Sequence, residues 1–167
     1  MADQPVRVAV ICTGNICRSP MAEVVLAQLI AADPTLRGRV VVTSAGTAQW
    51  HVGAQMDKRA RDALDRAGFG NPGTPAAFAD RAYLNAHDIV VAMTREHMRD
   101  VNQRLSNDDT EVILFRNLLQ PEQNLDVADP YYGDASEFDD CLELLREGGL
   151  CLTLALRRRL GADSSEV

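Results

Sequence analysis

One stretch near the N-terminus, Val8-Ala9-Val10-Ile11-Cys12-Thr13-Gly14-Asn15-Ile16-Cys17-Arg18-Ser19-Pro20-Met21-Ala22-Glu23, constrains the rest of the chain. It opens on an unbroken apolar run, the pattern of a buried strand. It closes as a helix, with Ser19 as the expected N-cap and Pro20 at the first helical position. A turn that feeds a helix N-terminus gathers unpaired backbone N–H groups, and these make an anion site. Cys12 begins the turn and Arg18 ends it. A thiolate at Cys12 is stabilised by the same amides and by Arg18. A phosphate held by the amides of Thr13, Gly14, Asn15, Ile16, Cys17 and Arg18, and gripped by the Arg18 fork, would turn its phosphorus toward the sulfur. That arrangement suits nucleophilic phosphoryl transfer. The plain alternative is an ordinary strand–helix turn with a buried Cys. A nucleotide-type phosphate loop is excluded, because no Gly-Lys-Ser/Thr follows Gly14.

The remaining chain alternates strand and helix patterns. Val6 to Ile11 is the first strand and Ser19 to Ala32 the first helix, ended by Asp33-Pro34. Arg39 to Thr43 is a second strand, with Ser44-Ala45-Gly46-Thr47 at its C-terminal end, where ligands collect in open α/β sheets. Met56 to Ala67 reads as a helix stopped by Gly68, and Asp80 to Ala86 as a short one. Asp88 to Met93 is a third strand, Thr94 caps a helix to Leu105, and Glu111 to Phe115 is a fourth strand. Residues 116–134 form a long loop, a length that usually carries function. Ser136 is the expected cap of a last helix reaching Leu160, which Gly148-Gly149 bends or splits. One domain over residues 1–160 and a frayed polar tail over 161–167 are expected.

A net charge of −7 argues against general nucleic-acid binding but leaves room for a phosphate at one helix end. No apolar run is long enough to span a membrane. The N-terminus has no basic cluster before its apolar run and so lacks a secretory signal. Four cysteines in such a chain suggest the reducing cytoplasm. No second close pair with ligand spacing accompanies Cys12 and Cys17, so no metal site is expected.

The Cys12–Glu23 segment resembles the active-site signature of the low-molecular-weight protein tyrosine phosphatases, in their bacterial form. The resemblance extends through Ser44-Ala45-Gly46-Thr47, Trp50-His51-Val52-Gly53 and Asp129-Pro130-Tyr131-Tyr132-Gly133. It implies an open parallel four-stranded sheet in the order 2-1-3-4 with helices on both faces, flavodoxin-like. It also implies hydrolysis of phosphotyrosine and aryl phosphates through a phosphocysteine, with no cofactor. The partner is then a tyrosine-phosphorylated protein, with a bacterial tyrosine kinase as a candidate, and the enzyme is expected to be a monomer.

On this reading Cys12 is the nucleophile. Arg18 compensates charge on two equatorial oxygens, which the point charge of a Lys could not match. Ser19 offers a hydroxyl to the thiolate, beside or instead of a capping role. Asn15 either fixes the loop, with help from Ser44, or simply takes a left-handed turn conformation. A departing phenolate needs an acid on the far side of the phosphorus from Cys12. Asp129 is the choice: Pro130 holds its backbone extended, and the family's acid matches it. Trp50, Tyr131 and Tyr132 supply aromatic walls for a flat ring. Cys17 either fills space behind the loop or is a resolving thiol that traps oxidised Cys12. His51, His87 and His97 form no cluster and receive no catalytic role. The chain departs from the family pattern at Thr74-Pro75-Ala76-Ala77-Phe78 and at Thr94, which puts the support behind the phosphate loop in question.

Two rivals remain. A thioredoxin-coupled arsenate reductase shares the Cys loop but needs two more cysteines on a mobile segment, whereas Cys141 and Cys151 fall in a predicted helix. A non-catalytic phosphotyrosine-binding module needs neither Cys12 nor Asp129.

Overall fold

The computed structural model describes residues 3–70 and 73–163. Strands β1 (Val6–Cys12), β2 (Val40–Gly46), β3 (Ile89–Ala92) and β4 (Glu111–Leu114) form one sheet. All neighbours are parallel, in the order β2-β1-β3-β4. The alternation of β1 divides the core. Val8, Val10 and Cys12 face one side, with helices α1 (Arg18–Ala32), α2 (Lys58–Arg66) and α5 (Ala135–Asp163). Ala9 and Ile11 face the other, where Leu84 of α3 (Arg81–Asn85) and Val101 of α4 (Arg95–Arg104) cover them. Both faces are therefore apolar, as a fully covered parallel sheet requires. Strand order reverses direction beside β1, and its C-terminal end opens the site.

Several boundaries differ from the sequence expectations. Helix α1 starts at Arg18, its N-cap is Cys17, and no side chain caps it. Ser19 is thus the second helical residue and Pro20 the third. Pro20 still lies in the first turn, where a missing N–H costs nothing. Ser44-Ala45-Gly46 continues β2 rather than following it, because Gly46 pairs in register with Cys12. A Cβ at Gly46 would collide with the Thr13 carbonyl, so only glycine lets the two backbones meet. Helix α2 begins two residues later than expected, capped by the Asp57 carboxylate on the Arg59 N–H. The cap of α5 is Asp134, whose Oδ1 accepts from the N–H groups of Ser136 (3.0 Å) and Glu137 (3.3 Å), not Ser136.

Gly148-Gly149 neither ends nor splits α5. A Cβ at Gly148 would strike the Phe115 ring, and Gly149 lies against Leu26 and Leu29 of α1. These glycines permit close packing, which offsets their low helix propensity. The helix runs on to Asp163, past the expected end at Leu160, and the rest of the expected tail, 164–167, lies outside the described residues. Among the described residues no helix is long and apolar enough to cross a membrane.

Candidate active site

The loop between β1 and α1 is fastened from three directions. The carbonyls of Cys12 and Thr13 accept from the N–H groups of Thr47 and Ala48 beyond β2. Asn15 takes φ 56°, a left-handed conformation that Asn tolerates. Its buried side chain donates from Nδ2 to Ser19 Oγ (2.7 Å) and Ser44 Oγ (2.9 Å), and accepts at Oδ1 from the Ala77 N–H (2.9 Å). Both readings of Asn15 thus describe the same residue, and the backbone group it holds belongs to Ala77, 62 positions away. The Ile16 carbonyl accepts from the Asp57 N–H at 2.9 Å.

Cys12 Sγ lies 3.0 Å from Ser19 Oγ, and both residues are buried. Arg18 is also buried. Its Nη1 donates to the Val127 carbonyl at 3.0 Å, and its Nη2 reaches Thr13 Oγ1 at 3.5 Å and Asp129 Oδ2 at 3.4 Å. Its Nε is buried with no partner in the protein. A buried guanidinium N–H left unpaired is costly, and a charged donor of this kind suits an oxyanion acceptor. Asp129 caps the 3-10 turn Pro130–Tyr132, with Oδ1 accepting from the Tyr131 N–H at 3.1 Å.

Cys12, Arg18 and Asp129 line one cleft together with Thr13, Gly14, Ile16 and Cys17, under a rim of Trp50, His51, Tyr131 and Tyr132. Asn15 and Ser19 are buried and do not line the cleft. Trp50 is 80% exposed and Tyr132 89%, so the rim is largely solvated in the open site. Tyr131 and Tyr132 meet edge to face at 5.1 Å. Burial, with Asp57, Cys12 and Asp129 nearby, pushes the Cys17 thiol well above its ordinary range. Cys17 is therefore held protonated.

Three contributors escaped the sequence reading. His51 joins the rim. His97 is buried at the start of α4, with Nε2 2.7 Å from Thr13 Oγ1 and Nδ1 buried without a partner. Burial, then the Arg18 charge, lowers its pKa to about 4, so the ring is neutral at neutral pH. Arg59 reaches the carbonyls of Tyr131 and Gly133 from α2. A histidine in the first turn of a helix and an arginine beside an acidic cap carry no local signal of such contacts. At the two departures, Thr74 donates to the buried Glu23 carboxylate at 3.2 Å, and Thr94 caps α4 by accepting from the His97 N–H. Among the described residues no group of acidic, His and Cys side chains could hold a metal ion.

A thiol at the floor of an amide-lined turn, with a buried arginine beside it, defines a cysteine-based phosphate-binding loop. Comparison with known proteins gives the family. The model of the low molecular weight phosphotyrosine protein phosphatase family matches residues 7–162. Low molecular weight protein-tyrosine phosphatase A of Mycobacterium tuberculosis is 41% identical over 144 residues, covering 84% of this chain and 85% of that protein. The phosphatase YfkJ of Bacillus subtilis is 31% identical over 144 residues, covering 86% of this chain and 90% of that protein. The YfkJ crystal structure superposes with a TM-score of 0.81 at 28% identity, covering 94% of this chain and 98% of that one. The chain belongs to the low molecular weight phosphotyrosine protein phosphatase family.

Proposed function

We propose that this protein hydrolyses phosphotyrosine in proteins, and aryl phosphates generally, in two steps through a phosphocysteine. The observation that carries the reading is the one cleft that holds Cys12, whose Sγ lies 3.0 Å from Ser19 Oγ, together with Asp129 and the buried Arg18, whose Nε has no partner in the protein. The loop amides of Thr13 to Arg18 and the Arg18 guanidinium bind the phosphoryl oxygens. In the first step the Cys12 thiolate attacks phosphorus, the S–P bond forms and the P–O bond to the phenol breaks. The departing phenolate takes the Asp129 proton. In the second step the Asp129 carboxylate takes a proton from water, whose oxygen attacks phosphorus. The P–S bond breaks, and the returning thiolate is met by the Ser19 hydroxyl. Arg18 compensates the equatorial charge in both transition states. Trp50, Tyr131 and Tyr132 flank the aryl ring, which favours phosphotyrosine over the shorter phosphoserine.

The substrate is a tyrosine-phosphorylated protein, a tyrosine kinase being one candidate. The unpaired Cys12 and Cys17 suit a reducing compartment such as the cytoplasm, and a monomer suffices for this mechanism. Cys141 and Cys151 both lie within α5, and burial raises the Cys141 thiol to about 12, so neither suits the relay of an arsenate reductase.

The test is turnover of p-nitrophenyl phosphate and of a phosphotyrosine peptide without metal, by the wild type and by Cys12→Ser. Loss of more than about two decades in kcat with phosphate binding retained is expected, since a lost nucleophile costs several kcal/mol of barrier. Retained turnover in Cys12→Ser would remove Cys12 from the chemistry.

A further inference from the structure

Arg59 belongs neither to the phosphate loop nor to the loop that carries Asp129, yet it connects them. Asp57 grips one edge of its guanidinium in a two-bond fork, Nε donating to Oδ1 at 3.1 Å and Nη2 to Oδ2 at 3.0 Å. That grip, above all the side-chain hydrogen bond from Arg59, holds the Asp57 carboxyl below its usual range. The backbone N–H of Asp57 donates to Ile16 O at 2.9 Å, within the phosphate loop. On the other side, Arg59 Nη1 donates to the carbonyls of Tyr131 (2.9 Å) and Gly133 (3.2 Å). The guanidinium also lies over the rings of Tyr131, 5.2 Å away, and of buried Phe138, 4.7 Å away. A Lys could not supply these directions at once.

The carbonyls that Arg59 holds lie within and just past the 3-10 turn whose first N–H orients the Asp129 carboxylate. Upstream the same loop is fastened at Val127, whose N–H donates to Met93 O and whose carbonyl accepts from Arg18. Asp129 sits between these two anchors.

We propose that the Asp57–Arg59 pair is a strut that sets the distance between the phosphate loop and the acid loop, making Arg59 a positioning residue for proton transfer by Asp129. This rests on the phosphatase reading above. A strut of this kind acts on the proton transfers of Asp129 in both steps, and kcat/KM reads the first of them. The bond from the Asp57 N–H to Ile16 O does not use the Arg59 side chain, so the cradle in which Cys12 sits keeps that anchor.

Arg59→Met and Arg59→Lys test it, with Asp129→Asn and the double variant Arg59→Met/Asp129→Asn. Arg59→Met should lower kcat/KM on phenyl phosphate about 10–100-fold, part of what general acid catalysis supplies. On p-nitrophenyl phosphate, whose leaving group needs little help, the loss should stay within about twofold. Arg59→Lys should recover little, since it keeps the charge and loses the fork. The double variant should be no worse on phenyl phosphate than Asp129→Asn alone. A merely structural role would lower both substrates equally and add to Asp129→Asn, and that result overturns the strut. Amide exchange decides the matter without turnover: Arg59→Met should speed exchange at the Tyr131 and Gly133 N–H groups and leave Thr13 to Arg18 unchanged. Unchanged exchange at Tyr131 and Gly133 also overturns it, as does a variant that fails to fold when Arg59→Lys folds with wild-type exchange. Absence of wild-type turnover would sink the phosphatase reading, while the exchange measurement would still judge the strut.

Discussion

Asn15 Nδ2 donates to Ser19 Oγ at 2.7 Å, and that bond decides where the Ser19 proton points. The amide cannot be turned round, because the Ala77 N–H requires an acceptor and finds Asn15 Oδ1 at 2.9 Å. Ser19 Oγ therefore accepts from Asn15, and when Cys12 is a thiolate the Ser19 proton has the sulfur as its acceptor. A residue in left-handed conformation thus sets the direction of a hydrogen bond to the sulfur.

Ser19→Ala should consequently reduce kcat on p-nitrophenyl phosphate by about 10–100-fold, since a hydrogen bond to a charged group is worth about 1.5–3 kcal/mol. KM should move little, because the amides and the Arg18 guanidinium proposed to hold the phosphate remain. Steady-state kinetics with thermal melts to confirm folding would check this. A kcat unchanged to within about twofold would mean that the hydroxyl only packs against the sulfur.

Asp129→Asn should show a leaving-group signature. The loss on phenyl phosphate should be about 10²–10⁴-fold, the usual span of general acid catalysis. The loss on p-nitrophenyl phosphate should be clearly smaller in the phosphorylation step, read as the burst of p-nitrophenolate. Equal losses on both esters would pass the role to another carboxylate of the same loop, Asp126 or Asp134.

His97 links acid sensitivity to the phosphate loop. Its folded pKa of about 4 lies below the ordinary histidine value of 6.5, so the unfolded chain binds the extra proton first as pH falls. The stability it confers is complete above pH 6.5 and is lost progressively down to about pH 4, a total of about 3 kcal/mol at 1.36 kcal/mol per pH unit. His97→Gln carries no proton to gain. Its urea-unfolding free energy should fall by about 2 kcal/mol less than wild type between pH 7.5 and 5. Parallel curves for the two proteins would show that His97 is not the titrating group.

The sheet and the loop at its centre were legible because their signals are local. The apolar run of Val8 to Ile11 makes a strand, the Cys12–Arg18 spacing makes the turn, and Thr94 caps α4 as its position suggested. Misreadings arose where a distant partner overrides a local preference. Ser19 has the chemistry of a cap, but Cys12 and Asn15 engage its hydroxyl two residues past the cap position, which Cys17 holds. Gly148-Gly149 looks like a helix breaker until the Phe115 ring is placed against it. Ser44-Ala45-Gly46 lacks the branched residues of a strand and pairs as one because β1 runs beside it. His97 and Arg59 find their partners 84 and 72 positions away, a separation over which one sequence carries no pattern.

The unpartnered Nε of Arg18 bears on more than binding of substrate. On the proposed mechanism a tetrahedral oxyanion held in the loop would satisfy that N–H, and inorganic phosphate, the last product, is such an anion. Folding equilibrium and product release are then coupled by mass action: free phosphate at a hundred times its dissociation constant stabilises the native chain by about 2.7 kcal/mol. The same occupancy keeps the next phosphotyrosine out. Where phosphate is abundant, the population of this protein is at once hardest to unfold and slowest to turn over.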